Sequence, residues 1–145
     1  MRLQLALNVP DIDAAVDYYG KLFGTEPHKR RDGYANFAIA EPPLKLVLFE
    51  NPDAIEHLHH IGVEVPETTD VETVQNRLQQ VDLVDETRSE TKCCHAKQDK
   101  LWTRAHNGLR WEWYYVSDEV TSAGEDSYGK TCCTGPTKSD NIGVI

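Results

Sequence analysis

The chain has 145 residues, with 15 basic and 24 acidic side chains and a formal net charge of −9 at pH 7. This length can bury enough apolar surface for one domain without disulfide or metal staples. The acidity opposes binding to nucleic acid or to an anionic membrane surface. The N-terminal residues lack a basic segment followed by a long apolar run, and no later segment could span a bilayer. We therefore expect a soluble, cytoplasmic protein.

The first fifty residues are typical of one βαβββ module. Residues 3–9 alternate apolar and polar side chains and predict a strand with one buried face, which leaves Gln4 and Ala6 on the other face. Residues 11–24 have an acidic start, apolar side chains at helical spacing and a final glycine, so they predict an amphipathic helix. Short apolar runs separated by turn residues predict strands at 27–31, 34–40 and 44–50.

The same order of elements returns after a linker at 51–57. We predict a strand at 59–65, a helix at 69–80, and strands at 83–87, 96–103 and 109–116. A shift of 56 residues places Gln4 on His60 and Ala6 on Gly62, and a second register places Val47 on Glu112. The prediction is an α+β fold in which two βαβββ modules, about 1–50 and 58–116, form paired curved mixed sheets within a single domain, 1–116.

The remaining residues, 117–145, are rich in Ser, Thr, Gly, Lys and Asp and have almost no apolar periodicity. We expect them to form a flexible tail. The four cysteines form two vicinal pairs, Cys93-Cys94 in the second module and Cys132-Cys133 in this tail. Adjacent Cα atoms are about 3.8 Å apart, which is shorter than the roughly 4.4–6.8 Å of a relaxed disulfide. We therefore expect free thiols.

Glu112 lies in the aromatic segment WEWYYV, where alternation puts it on one face with Tyr114 and puts the two tryptophans on the other. A buried carboxylate needs a cation, a proton or hydrogen-bond donors. On this segment alone, an outward-facing, solvated Glu112 is an equal alternative. The repeat joins Glu112 to Gln4 and His60 in equivalent inward positions. Three N/O donors on one side of a metal leave open coordination positions, as in non-haem Fe(II) sites.

Each member of this set has a structural alternative. Gln4 could be a polar residue of an edge strand, and His60 a half-buried histidine with its hydrogen bonds satisfied. His59 is the competing histidine on the opposite face of the same strand. Only the repeat register connects the three residues.

Cys93 and Cys94 form a second candidate site, because two neighbouring thiols can chelate a soft ion such as trivalent arsenic or Cd²⁺. The alternative is two small buried hydrophobic side chains. The polar flanks favour an exposed loop, and the nearby cations favour the thiolate. Lys100 and His95 could steer an anionic substrate or transfer a proton, and solvated roles in a loop are equally open.

The repeat, the segment NVPDIDAAVDYYGKLFG and the strands HHIGVEV and WEWYYV resemble the vicinal oxygen chelate family, which includes glyoxalase I, extradiol dioxygenases and bleomycin-resistance proteins. The segments YANFAIAEPPLKLVLFE and CCHAKQDKLW and the double-Cys tail are similar to its ArsI/CadI branch of organoarsenical carbon–arsenic lyases and cadmium-induced proteins. The resemblance spans roughly residues 3–116. It implies Fe(II) held by Gln4, His60 and Glu112, and trivalent arsenic held by Cys93 and Cys94.

The resulting hypothesis is an enzyme, an Fe(II)- and O₂-dependent carbon–arsenic lyase that cleaves trivalent methyl- or aryl-arsenicals to inorganic arsenite. It assigns catalytic roles to Glu112, Lys100 and Tyr114. The main alternative is a non-catalytic cadmium- or arsenite-binding resistance protein. A ring-cleaving dioxygenase with incidental cysteines is a third interpretation. The sequence leaves the oligomeric state open, a homodimer included.

Overall fold

The structure is a computed structural model that describes the backbone of residues 1–93 and 96–119, and the side chains of 1–87 and 99–117 among them. The predictions for Cys94, His95 and the tail from residue 120, with Cys132 and Cys133, lie outside the described residues. So does the Cys93 side chain, although its backbone is described.

Both predicted βαβββ modules are present. The elements are β1 Arg2–Val9, α1 Ile12–Phe23, β2 Lys29–Arg31, β3 Tyr34–Ile39, β4 Leu44–Glu50, β5 Leu58–Glu64, α2 Thr68–Gln79, β6 Glu86–Cys93, β7 Ala96–Arg104 and β8 Arg110–Glu119. Their bounds agree with the predicted ones to within two residues, apart from β6 and the end of β8. The fold class predicted from the sequence, α+β with two βαβββ repeats, is therefore confirmed.

The β6 strand was predicted at residues 83–87, and this was wrong. The Leu83 amide donates to the carbonyl of Leu78 at 3.0 Å, and Asp82 has a left-handed backbone with φ 58°, so this stretch completes the end of α2. The strand begins only at Glu86 and runs to Cys93 through the polar sequence ETRSETKC. It lies at the edge of the sheet, where the sequence has no apolar alternation to mark it.

The two modules share one sheet of eight strands in the order β2-β3-β4-β1-β5-β8-β7-β6. The paired sheets predicted from the sequence are thus the two halves of a continuous sheet, joined where β1 runs antiparallel to β5. In this junction Gln4 pairs with Gly62 and Ala6 pairs with His60. This reciprocal pairing confirms the 56-residue register, because it relates Gln4 to His60 and Ala6 to Gly62 by a local two-fold.

The second predicted register is confirmed by the parallel pairs of the sheet. On β1 and β4, Ala6 pairs with Val47, and on β5 and β8 its counterpart Gly62 pairs with Glu112. Val47 and Glu112 therefore occupy equivalent positions. The local symmetry offers two such positions, and only one of them carries a carboxylate.

Each helix covers one half of the sheet, and an apolar core lies beneath it. The α1 helix contacts β3 and β4, and the α2 helix contacts β7 and β8. Asp11 caps the start of α1 by accepting a hydrogen bond from the Ala14 amide, and Gly24, with φ 62°, ends it. In the first half the buried core is formed by Val9, Ile12, Val16, Ala35, Phe37, Ile39, Leu46 and Leu48, and in the second by Val63, Val65, Val71, Leu78 and Leu101.

The expectation that β1 buries only its apolar face was wrong. On that face Leu3 is 53% exposed, and Leu5 and Leu7 are partly buried against the core under α1, while Gln4 and Ala6 are buried on the other side of the sheet. We call this other side the site face, meaning the side that carries Gln4, Ala6, His60, Glu112 and Tyr114. Polar side chains that are buried in this way need partners, and these partners form the candidate site.

Candidate metal centre

Three donor atoms from three strands meet on the site face. Gln4 Nε2 is 3.0 Å from His60 Nε2 and 3.1 Å from Glu112 Oε2, and the last two atoms are 3.3 Å apart. The three residues are between 2% and 6% exposed. The structure thus brings together the three predicted metal ligands, and the outward, solvated alternative for Glu112 is wrong.

The dimensions of this triangle fit one face of an octahedral metal site. Ligand atoms about 2.1 Å from an ion and at right angles to each other are separated by roughly 3.0 Å. A half-turn of the Gln4 amide exchanges its nitrogen and oxygen, which brings Oε1 to the corner now given to Nε2. Among the described side chains no three His, Cys, Asp or Glu residues cluster as a metal site, so the metal hypothesis depends on Gln4 as the third ligand.

Gly62 determines how Gln4 reaches the triangle. A Cβ atom at Gly62 would lie 3.1 Å from both Cβ and Nε2 of Gln4 and 3.3 Å from Cε1 of Tyr114. The Gln4 and Tyr114 side chains fill the space that a side chain at this position would take, so Gly62 allows the amide to cross the β1–β5 junction.

His60 has its ring held from two sides. Its Nδ1 is 2.7 Å from Nδ1 of His59, and the edge of its ring faces Trp102, with ring centroids 5.0 Å apart. Burial, then the charges of His60 and Arg110, lower the pKa of His59 to about 4, against an opposing effect of Glu112. A neutral His59 can accept a hydrogen bond from His60 Nδ1–H, and in that tautomer the Nε2 lone pair of His60 points at the triangle. His59 is therefore a partner of His60 rather than its competitor.

Glu112 has a buried cation on its other oxygen. Lys100 Nζ is 2.7 Å from Glu112 Oε1, and Lys100 is 4% exposed. Burial raises the pKa of Glu112, but the charge of Lys100, followed by the neighbouring His60 imidazole, outweighs this effect and lowers the pKa to about 2. The carboxylate is thus ionised at neutral pH, with Oε2 directed at the triangle. Lys100 lies within β7, so a solvated role in a loop is wrong.

A second chain of hydrogen bonds lies behind Gln4. The Tyr114 hydroxyl is 2.8 Å from Gln4 Oε1 and 3.2 Å from Glu64 Oε2, and Arg2 Nε donates to the same Glu64 oxygen at 2.7 Å. Burial, followed by the negative charges of Glu64 and Glu112, raises the pKa of Tyr114 well above its ordinary value, so the phenol keeps its proton. Sequence analysis assigned Tyr114 to the site but missed Glu64 and Arg2. The signal was the spacing Gly62-x-Glu64, which puts Glu64 on the site face.

Cys93 lies farther along the sheet. It ends β6 and pairs with Ala96 of β7, which pairs with Glu119 of β8. Glu119 is seven residues from Glu112, which in a straight strand corresponds to roughly 23 Å. The register shifts between Arg88 and Thr91 and between Lys97 and Gln98 mark bulges in this hairpin, and bulges bend strands.

The arrangement defines a class of protein: a two-module sheet whose central strands present an ionised carboxylate, an imidazole and an amide to one point. The family model described as glyoxalase/bleomycin resistance protein/dioxygenase superfamily matches residues 3–112. The chain belongs to this superfamily, as the resemblance implied. Neither helix of the described chain is long and apolar enough to cross a bilayer.

Two curated relatives and one solved structure illustrate the match. A trivalent organoarsenical cleaving enzyme of Thermomonospora curvata is 47% identical over 145 residues, covering 99% of this chain and 94% of that protein. Cadmium-induced protein CadI of Mycobacterium tuberculosis is 46% identical over 142 residues, covering 92% and 93%. A superfamily member from Vibrio splendidus shares the fold, with a TM-score of 0.53, 16% identity, and coverage of 79% of this chain and 97% of that one.

Proposed function

We propose that the protein is an Fe(II)- and O₂-dependent carbon–arsenic lyase that converts trivalent methyl- or aryl-arsenicals to inorganic arsenite. One observation carries the proposal: the buried triangle of Gln4, His60 and Glu112, with edges of 3.0, 3.1 and 3.3 Å. The similarity to the organoarsenical cleaving enzyme over 99% of the chain supports the choice of substrate.

The donor set suits a divalent transition-metal ion, and we take it to be iron. An imidazole, a carboxylate and an amide oxygen on one face resemble the two-His, one-carboxylate facial triads of non-haem Fe(II) oxygenases, with Gln4 in place of one histidine, and such triads leave positions open for O₂ and substrate. When bound, Fe(II) supplies the activation of O₂ that breaks the carbon–arsenic bond. The protein's part is to keep Glu112 ionised through Lys100 and to fix the His60 tautomer through His59.

In the O₂-dependent reaction it is the carbon that is oxidised, because arsenic is trivalent before and after the bond breaks. For methylarsonous acid, CH₃As(OH)₂, one O₂ balances the formation of As(OH)₃ and formaldehyde. Both atoms of O₂ then appear in products, and no external reductant is consumed. This stoichiometry makes oxygen uptake a readout that simple binding of arsenic cannot produce.

In this proposal Cys93 and Cys94 capture the arsenical, because trivalent arsenic prefers thiolates to oxygen ligands. The thiols must then hold the carbon–arsenic bond close to the triangle. The bulges at Arg88/Thr91 and Lys97/Gln98 occur between Cys93 and the level of Glu112, and bulges bend strands. The proposal requires the bend to be towards the site face. The candidate catalytic groups are Lys100, which contacts Glu112 Oε1, and Tyr114, which contacts Gln4 Oε1.

The test is a single-turnover reaction of the anaerobically Fe(II)-loaded protein with methylarsonous acid, started by O₂. Arsenic speciation, oxygen uptake and formaldehyde are measured together. We expect arsenite and formaldehyde in equal amounts, with one O₂ consumed for each molecule of methylarsonous acid cleaved. No reaction is expected without iron or without O₂. The absence of arsenite above the protein-free control would contradict the proposal.

The 46% identity to a cadmium-induced protein favours a second candidate, a binding protein that sequesters Cd²⁺ or arsenite through its thiols. This candidate predicts stoichiometric binding of the arsenical with the carbon–arsenic bond intact. The same speciation experiment separates the two, since the lyase releases arsenite and the binding protein returns unchanged methylarsonous acid after denaturation.

A further inference from the structure

The orientation of the Gln4 amide presents a problem that the triangle alone does not solve. With Nε2 at the corner, the amide donates to His60 Nε2 and Glu112 Oε2 at 3.0 and 3.1 Å, an arrangement that offers a cation no lone pair. With Oε1 at the corner, three acceptors point at one place. That arrangement is repulsive unless a cation lies between them.

The Tyr114 hydroxyl accommodates both orientations. When Nε2 is at the corner, the hydroxyl donates to Gln4 Oε1 at 2.8 Å. When the amide is reversed, Nε2 donates to the hydroxyl oxygen, and the hydroxyl proton turns to Glu64 Oε2, 3.2 Å away. Glu64 is held by Arg2 at 2.7 Å. The phenol proton therefore has an acceptor in either state, Gln4 Oε1 in the first and Glu64 Oε2 in the second.

We infer that Tyr114, backed by Glu64 and Arg2, is a positioning residue that orients the Gln4 amide with its oxygen towards the metal. This rests on the metal site of the proposed function and recasts Tyr114, which sequence analysis had assigned to catalysis. The hydroxyl acts on the metal only through Gln4. An amide ligand needs such a group because its oxygen and nitrogen differ. An aspartate or glutamate ligand would not need one, since its two oxygens are equivalent.

The placement of Glu64 agrees with this role. Burial raises its pKa, but the hydrogen bond from Arg2 and the charges of Lys45 and Arg2 outweigh burial and lower the pKa. An ionised carboxylate accepts a hydrogen bond from the phenol hydroxyl and cannot donate one to it. The phenol is then left with its oxygen as the acceptor for Gln4 Nε2, which is the orientation that exposes Oε1 to the metal.

The experiment compares metal binding by the full-length metal-free protein and its Tyr114→Phe variant. Co(II), titrated alone and followed by its visible absorption, is the probe, and Fe(II) is titrated anaerobically as a check. We expect Tyr114→Phe to weaken binding about tenfold to a hundredfold, the range typical of groups that orient ligands. Tyr115→Phe is the matched control, because Tyr115 packs on the opposite face against the α2 core. This variant should bind Co(II) with wild-type affinity.

A Gln4→Glu background distinguishes orientation from packing. The two oxygens of a glutamate are equivalent, so a half-turn of its carboxylate changes nothing at the metal. Tyr114→Phe should therefore lower the metal affinity by at most a few-fold in that background. Glu64→Gln, which keeps the phenol ring in place, should reproduce part of the loss only when Gln4 is retained. Thermal unfolding of each metal-free variant checks that the fold is retained.

The outcomes separate this inference from the function it rests on. Wild-type affinity in Tyr114→Phe, or an equal loss with and without the Gln4→Glu substitution, would overturn the positioning role and leave the proposed function standing. Failure of the wild-type protein to bind Co(II) or Fe(II) would overturn both. A loss confined to the protein that retains Gln4 supports the inference.

Discussion

The three donors of the candidate metal centre differ in how strongly each should hold a cation. Glu112 supplies a full negative charge and His60 a neutral imidazole lone pair, while Gln4 supplies only the dipole of an amide oxygen. All three are buried on the site face. The affinity of the site should therefore decrease in unequal steps as the ligands are removed.

We predict that Glu112→Ala or His60→Ala lowers Fe(II) occupancy to near zero and abolishes turnover, while stoichiometric arsenical binding persists. Removing one of three ligands costs both charge and geometry. Gln4→Ala should be milder, because the amide is the weakest donor. His57→Ala is the control, because His57 is an exposed histidine of the linker, and this variant should bind Fe(II) like wild type. Wild-type iron affinity of the His60 variant, measured by anaerobic titration, would contradict the site.

The lowered pKa of Glu112 has a consequence for stability in acid. A carboxyl group whose pKa is about 2 in the folded protein and 4.5 when unperturbed stabilises the fold above pH 4.5. That contribution is lost as the pH falls through this window towards 2, because the unfolded chain binds the proton first.

We predict that the urea midpoint of the metal-free protein falls steadily between pH 4.5 and pH 2, and that Glu112→Gln has a shallower pH dependence across the same window. Glu72→Gln, in an exposed carboxylate of α2, should retain the wild-type slope. Parallel curves for wild type and Glu112→Gln would show that Glu112 does not titrate in this range.

At the scale of elements, the β1–β5 junction is what makes the site. Each of these strands places a polar side chain opposite a small residue of the other strand, Gln4 against Gly62 and His60 against Ala6. The site therefore depends on close approach of the two central strands as much as on the ligands themselves.

Gly62→Ala tests this dependence. Its Cβ would lie 3.1 Å from two atoms of Gln4 and 3.3 Å from the Tyr114 ring, so both side chains must move. We predict a loss of metal affinity of about tenfold or more, together with a destabilisation of about 1–3 kcal/mol typical of overpacking. Gly20→Ala, in α1, should leave affinity unchanged. Co(II) titration and urea unfolding of both variants measure the two effects, and unchanged metal affinity in Gly62→Ala would contradict the argument.

The sequence predicted that Gln4, His60 and Glu112 lie together because the repeat carries positional information that single residues lack. Gln4, His60 and Glu112 have no shared local motif, but the two registers of the repeat, confirmed by strand pairing, bring them to one point. The chain from Tyr114 through Glu64 to Arg2 could not be predicted in the same way. Its members meet through side-chain length and rotamer across three strands, which a pattern of alternation does not encode.

At the scale of the whole molecule, the site belongs to neither half alone. Gln4 comes from the first module and His60 and Glu112 from the second, while the position equivalent to Glu112 in the first module is the buried apolar Val47. The local two-fold thus yields one complete ligand set. The hairpin of β6 and β7 belongs to the second half of the sheet, so Cys93 and the candidate metal ligand Glu112 lie in one continuous antiparallel unit, β6-β7-β8.

The two cysteine pairs are expected to have different roles. Cys93 ends β6, and β6 pairs with β7, which pairs with the strand of Glu112. We predict that Cys93→Ser or Cys94→Ser eliminates both arsenical binding and turnover, with Fe(II) affinity unchanged, because a hydroxyl is a poor ligand for trivalent arsenic. Equilibrium binding of methylarsonous acid and anaerobic iron titration measure the two effects, and stoichiometric arsenical binding by either variant would contradict the assignment.

The tail pair, Cys132-Cys133, should be dispensable for turnover. Asp118 and Glu119 pair with Lys97 and Ala96 of β7, so the truncation that spares the sheet ends the chain after Glu119. Beyond that residue the sequence has almost no apolar periodicity with which to dock at a fixed distance from the metal, and an undocked thiol pair cannot hold a bond near a reacting centre. We expect the truncated protein, and the full-length Cys132→Ser/Cys133→Ser variant, to release arsenite at the wild-type rate. A tenfold slower release, a barrier higher by about 1.4 kcal/mol, would mean that the tail thiols belong to the site.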